Sequence, residues 1–168
     1  MLKDYLLELP VRFATRRQDV SGSIYGTIVA AGTLLGAAEA THNVLEMAGT
    51  AVATVLIYWV AHAYAEVLGR PRPMSSFWAE SRHELMAEST MMTACILPVA
   101  ALLVASALGA TFELATSIAL WFAVGTLFAW GLVAARHAEL SRTGRLLSGV
   151  VFGVLGIVIV SLKSVLLH

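Results

Sequence analysis

Charged residues and cysteine are scarce in this sequence. Only 13% of its 168 residues are charged, whereas 58% are hydrophobic, and the mean hydropathy is +0.79. A soluble domain keeps roughly a quarter of its residues charged. The composition therefore predicts a multi-pass integral membrane protein, which we place in the cell membrane.

Several kinds of motif are also missing. Cys95 is the only cysteine, which excludes an intramolecular disulfide. The sequence has no G-x-S-x-G, H-E-x-x-H, Walker loop, dinucleotide fingerprint or C-x-x-C. Basic and acidic residues balance at 11 each, so the net charge gives no sign of a nucleic-acid partner. We therefore expect neither an enzyme nor a nucleic-acid-binding protein.

Long apolar runs are abundant and recur along the whole chain. Each has about 20 residues, the length that a helix needs to cross a bilayer. The predicted spans are Ser21–Ala40, Met47–Leu68, Met86–Leu108, Phe112–Ala135 and Leu147–Leu167. The sequence thus predicts an all-α bundle of five transmembrane helices within residues 21–168.

The first 20 residues differ from the rest, because they mix apolar residues with charges. Pro10 is expected to interrupt any continuous helix here. An amphipathic segment on the cytoplasmic surface is predicted, with Arg12, Arg16 and Arg17 at anionic headgroups. A partly ordered tail is the alternative.

Lys and Arg positions predict the orientation, because cytoplasmic loops are rich in basic residues. Ten of the eleven lie before span one, between spans two and three, or between spans four and five: Lys3, Arg12, Arg16, Arg17, Arg70, Arg72, Arg82, Arg136, Arg142 and Arg145. The N-terminus is therefore predicted to be cytoplasmic and the C-terminus outside.

A polar stripe follows span two at intervals of four residues, through Thr50, Thr54, Tyr58, His62 and Glu66. Exposing His62 or Glu66 to lipid costs roughly 2–3 kcal/mol or more. We expect the stripe to face span three at the depth of Glu88 and Met92. His62 is either a ligand or proton shuttle, or a neutral imidazole hydrogen-bonded to Tyr58, Glu66 or a carbonyl.

Further residues extend this stripe into a predicted cation pathway. The pathway is predicted to contain Tyr58, His62, Glu66, Glu88, Glu39 and Glu113, the last two at the outer mouth. The predicted metal ligands are His62, Glu66, Glu88, Met92, Glu80 and Glu84. These donors, with Cys95 nearby, suit Fe²⁺, Mn²⁺, Co²⁺ or Zn²⁺. The alternatives are apolar packing of the methionine, ion pairs of the inner carboxylates with Arg82 and its neighbours, and solvation of the outer ones.

Small residues recur at spacing four on span one, where they allow helices to approach closely. They form two pairs, Gly22 with Gly26 and Gly32 with Gly36. Span one is therefore the predicted interface of a homodimer. Pro98 is expected to disturb span three.

Three stretches resemble the vacuolar iron transporter family. "VSGSIYGTIVAAGTLLG" (20–36) is similar to its first span, "HAYAEVLG" (62–69) to the end of its second, and "RTGRLLSGVVFGVLGIVIV" (142–160) to its last. The resemblance implies a five-span dimer that exports Fe²⁺ or Mn²⁺ from the cytosol, with Glu66 at the matching glutamate. Tyr25 stands in place of the family's transport-path aspartate, and the long metal-binding insert is replaced by a short loop.

Two functions remain open from the sequence. The first is a dimeric transporter or channel for divalent cations, or a proton-coupled cation transporter. The second is a membrane subunit or scaffold that transports nothing and binds a partner protein. Phe77, Trp78 and the Arg-Pro-Arg-Pro turn before them would form its docking patch.

Overall fold

The computed structural model describes the backbone of residues 2–69, 82, 85–86 and 89–166, and the side chains of residues 20–69, 82, 85–86 and 89–162. Six helices follow one another in this part of the chain: α1 (Leu2–Ala40), α2 (Val44–Leu68), α3 (Ser89–Ala94), α4 (Ile96–Ala107), α5 (Phe112–His137) and α6 (Arg142–Leu166). No strand occurs in the described ranges. The all-α prediction is confirmed.

Five of the helical segments are long and apolar enough to cross a membrane, as predicted. They are Val20–Ala40, Val44–Leu68, Ser89–Ala107, Phe112–His137 and Arg142–Leu162. Helix α1 is continuous through Pro10, so the expected interruption of the helix there was wrong. A proline removes one intrahelical hydrogen bond, and a long helix can accommodate that loss with a bend.

Local capping fixes where several helices begin. The Asn43 side chain accepts hydrogen bonds from the N–H groups of Leu45 and Glu46, and the Thr111 hydroxyl accepts one from Leu114. Helix α6 begins at Arg142 rather than at the predicted Leu147. Its first turn carries polar residues that hydropathy alone does not assign to the span.

The third span is divided in two at Cys95, three residues before Pro98. Proline has no N–H to donate, so the helix loses a hydrogen bond at this point. The Val99 N–H donates to the carbonyl of Cys95 at 3.2 Å, and the Cys95 thiol donates to the carbonyl of Met92 at 3.0 Å. The predicted effect of Pro98 on this span is thus confirmed as a break between α3 and α4.

Helix α1 lies at the centre of the bundle. Helices α2, α3 and α5 pack extensively against it, and α4 and α6 make smaller contacts with it. Around α1, α2 adjoins α3 and α4, α4 adjoins α5, and α5 adjoins α6. Among the described residues, α2 and α6 have no more than a marginal contact, so this part of the ring is open between α2 and α6. We call this opening the α1 cleft.

Close approaches at glycines hold the bundle together on its packed sides. A Cβ at Gly26 would overlap the backbone carbonyl of Met91 on α3. A Cβ at Gly131 on α5 would lie 2.8 Å from the carbonyl oxygen of Ser148 on α6, and one at Gly149 would lie 2.8 Å from the Leu132 side chain. At Gly26 and Gly131 the facing atom belongs to a backbone and cannot move aside, whereas at Gly149 a side chain of the facing helix would have to shift.

Candidate functional site

Three aromatic rings meet where α1 and α2 face each other, near the end of the bundle that carries most of the basic residues. The His62 ring lies nearly parallel to the Tyr58 ring on the preceding turn, with centroids 6.1 Å apart. The Tyr25 ring of α1 lies 6.5 Å from the His62 ring and is tilted by 41°. We call Tyr25, Tyr58 and His62 the aromatic cluster.

The cluster is open on one side. Tyr25 is 50% exposed and Tyr58 is 37% exposed, while His62 is partly buried. Within the described residues, the His62 imidazole makes ring contacts and no hydrogen bond. The alternative of an imidazole hydrogen-bonded to Tyr58, Glu66 or a carbonyl is therefore not what the described residues show, where the ring stacks on Tyr58.

His62, in the polar stripe of α2, faces α1, while its expected neighbour Glu88 lies outside the described residues. His62 contacts Tyr25 of α1, and Trp59, one turn earlier on α2, donates from Nε1 to the carbonyl of Leu85 at 3.1 Å. Leu85 precedes α3, so Trp59 is the side chain that meets the start of span three. Steps of four residues advance about 40° around a helix. This slow rotation makes the neighbour of such a stripe hard to predict.

Met92 lies away from the aromatic cluster. It packs against the buried group formed by Ala30, Val55 and Cys95. Val55 is seven residues from His62 along α2, about 10 Å of helical rise. Met92 therefore packs against an apolar group near the middle of α2, about two turns from His62.

The carboxylates of the predicted pathway lie in separate places. Glu66 is partly buried one turn beyond His62 on α2. Glu39 and Glu113 are exposed at the opposite end of the bundle, where the Thr41 hydroxyl donates to Glu46 Oε2 at 2.6 Å. Glu80, Glu84 and Glu88 lie outside the described residues. In the part of the chain that the structure describes, no three His, Cys, Asp or Glu side chains converge as metal ligands would.

The floor of the α1 cleft consists of small residues. Gly32 and Gly36 are exposed, and a Cβ built on either would meet nothing within 4 Å. Tyr25 lies on the same face of α1, two turns before Gly32. The stripe of α2 borders this face, since Tyr25 meets His62 and the buried residues Leu35 and Ala37 of α1 pack with Ala48 and Ala51 of α2.

The described fold and site define an all-helical protein with five helices long and apolar enough to span a membrane. No family model, curated protein or solved structure matches the chain. The residues of the cleft are therefore the basis for a functional proposal.

Tyr25 is a site residue that the sequence predicted only through the resemblance, as the replacement for the family's transport-path aspartate, and not as a partner of His62. It lies four residues after Ser21 and seven before Gly32, the spacing of one helical face. That spacing identifies its face on α1. The contact with His62 depends on how α1 and α2 pack, which the spacing does not determine.

Proposed function

We propose that the protein is a small integral membrane transporter or channel for cations, that it is proton-coupled, and that it works as a homodimer. The cation moves along the polar stripe of α2, from Glu66 past His62 and Tyr58 toward Thr54 and Thr50. Glu39 and Glu113 form the outer mouth, as the sequence predicts.

The observation that carries this proposal is the open position of His62. A polar side chain in a membrane span is costly unless it meets water, a ligand or a polar partner. His62 has no hydrogen-bond partner among the described residues and borders the α1 cleft. Histidine gains or loses a proton near neutral pH, which suits an exchange of protons for cations.

Apolar side chains pack the space between α1, α2, α4 and α5. These fully buried residues include Leu34, Met47, Leu102 and Leu120. The route we propose therefore avoids this core and follows the face of α2 at the edge of the cleft, beside the Gly32 and Gly36 face on which the second subunit would pack.

A flux assay tests the proposal directly. Purified protein in vesicles holding a pH-sensitive dye is exposed to Mn²⁺, Fe²⁺, Co²⁺, Zn²⁺ or K⁺ at pH 6 and pH 8, while the metal content of the purified protein is measured. We expect one or more cations to change the internal pH faster than in protein-free vesicles. Rates equal to those of empty vesicles for every cation at both pH values contradict transport of these inorganic cations.

The homodimer is expected to form on the α1 face of Gly32 and Gly36. Paired glycines at spacing four let helix backbones approach closely in lipid, and a two-fold interface uses the same patch on both subunits. We predict that Gly36→Leu converts the dimer to monomer in light scattering of the detergent-solubilised protein. Gly49→Leu is the matched control, since Gly49 of α2 is equally open. A wild-type monomer, or a dimer that survives Gly36→Leu, refutes this interface.

The same face supports a second candidate function, a membrane subunit that transports nothing. An open strip of small residues on the central helix suits a helix of another protein as well as a second copy. Purification from native membranes with one stoichiometric partner, together with no cation flux, would favour this function. The docking patch predicted around Phe77 and Trp78 lies outside the described residues.

A further inference from the structure

We propose that the cargo is an organic cation, a quaternary or protonated amine or a related onium ion with apolar substituents, bound against the aromatic cluster. This inference rests on the proposed function, because it names the cation that the polar stripe of α2 would carry. Its residues are Tyr25 of α1 and Tyr58 and His62 of α2, with Glu66 as the counter-charge.

The first argument is the number and placement of the rings. Two helices supply three aromatic side chains. The centroid of the His62 ring lies 6.5 Å from that of Tyr25 and 6.1 Å from that of Tyr58. A cation within about 6 Å of a ring centroid is attracted by the negative face of the ring. A group between two rings needs centroids about 7 Å apart, because each contact takes about 3.5 Å. The rings of Tyr58 and His62 are closer than that. The cation would therefore lie on their open side, beside Tyr25.

The second argument is the direction in which the cluster opens. Tyr25 and Tyr58 are half-exposed toward the outside of the bundle, while Ala30 and Val55 behind them are fully buried. In a bilayer, this opening faces lipid or the cleft. A bare divalent ion would lose its water there at high cost. A cation surrounded by apolar groups enters such a place readily, because its charge is spread and its substituents are soluble in lipid.

The third argument is charge. Glu66 lies one turn from His62 on the same stripe, so a carboxylate borders the cluster and its negative charge favours a cation there. The groups that face His62 within the described residues are Tyr25 from α1 and Tyr58 and Glu66 from α2. A proton on His62 or on Glu66 opposes cation binding, so we expect proton and cargo to compete for the cluster.

Binding of tetraphenylphosphonium tests the proposal on the purified full-length protein in detergent, by calorimetric titration at pH 8. We expect saturable binding that weakens roughly tenfold in Tyr25→Leu and in Tyr58→Leu, because each loses one ring face. Tyr25→Phe and Tyr58→Phe should stay within about twofold of the wild type, since the ring remains. Tyr64→Leu is the matched control, an exposed tyrosine of α2 outside the cluster.

The outcomes separate this inference from the proposed function. No saturable binding, or equal binding by the leucine variants, overturns the organic-cation cargo. Equal losses in the phenylalanine and leucine variants overturn it as well, because the hydroxyl groups would then hold the ligand. Mn²⁺ flux that depends on His62, without phosphonium binding, would support the proposed transporter with a cargo other than an organic cation.

Discussion

Replacing His62 with alanine is expected to reduce cation flux at least tenfold in reconstituted vesicles, with the protein still folded. The imidazole is the proposed proton carrier at the point where α1 and α2 meet, and alanine cannot take its place. His62 is only partly buried and makes ring contacts rather than hydrogen bonds within the described residues. Its removal therefore should cost little stability. Flux and thermal unfolding are measured on the same preparation.

Two further variants sharpen this prediction. Glu66→Gln keeps the shape of the side chain and removes its charge, and we expect it to lower flux as well. His137→Ala is the matched control, because His137 lies at the end of α5, away from the cleft. Full flux in both His62→Ala and Glu66→Gln would refute the assignment of the pathway. A loss of flux in His137→Ala would show that the assay responds to histidine removal in general.

Gly26→Ala is expected to lower the stability of the protein clearly. The added methyl group would overlap the carbonyl of Met91, and this atom belongs to the backbone of α3 and cannot rotate away. Overpacking of this kind costs about 1–3 kcal/mol. We expect a clearly lower unfolding temperature in detergent, and little or no folded protein for Gly26→Leu.

Gly49→Ala provides the comparison for Gly26→Ala. A methyl group at Gly49 meets nothing within 4 Å, and alanine favours a helix over glycine by roughly 0.5–1 kcal/mol. We therefore expect an unfolding temperature equal to or slightly above that of the wild type. If Gly26→Ala were as stable as Gly49→Ala, the close contact between α1 and α3 would be wrong.

The helices themselves were largely predictable. The predicted second span ends at Leu68, as α2 does, and the predicted fourth span begins at Phe112, as α5 does. The first span ends at Ala40, as predicted. These limits follow from local properties, namely runs of apolar residues and, at the start of α5, the capping side chain of Thr111. The break before Pro98 followed from the missing N–H of proline, which is equally local.

The surroundings of the polar stripe were less predictable. Span three was the expected neighbour of His62, and α1 is the observed one. A stripe of constant spacing fixes which side chains share a face of one helix, but the helix opposite depends on how all the helices pack. The same applies to the glycines of α1, since Gly26 contacts α3 while Gly32 and Gly36 remain open.

By itself, the sequence determined the helical class, the five apolar helices and the polar residues that share a face of α2. Each of these depends on residues that are close together along the chain. Only the tertiary structure decided that α1 is central, that the ring of helices is open between α2 and α6, and that Tyr25 meets His62. Those features depend on contacts between distant segments, where close backbone approach and side-chain volume select one packing among several that hydropathy allows.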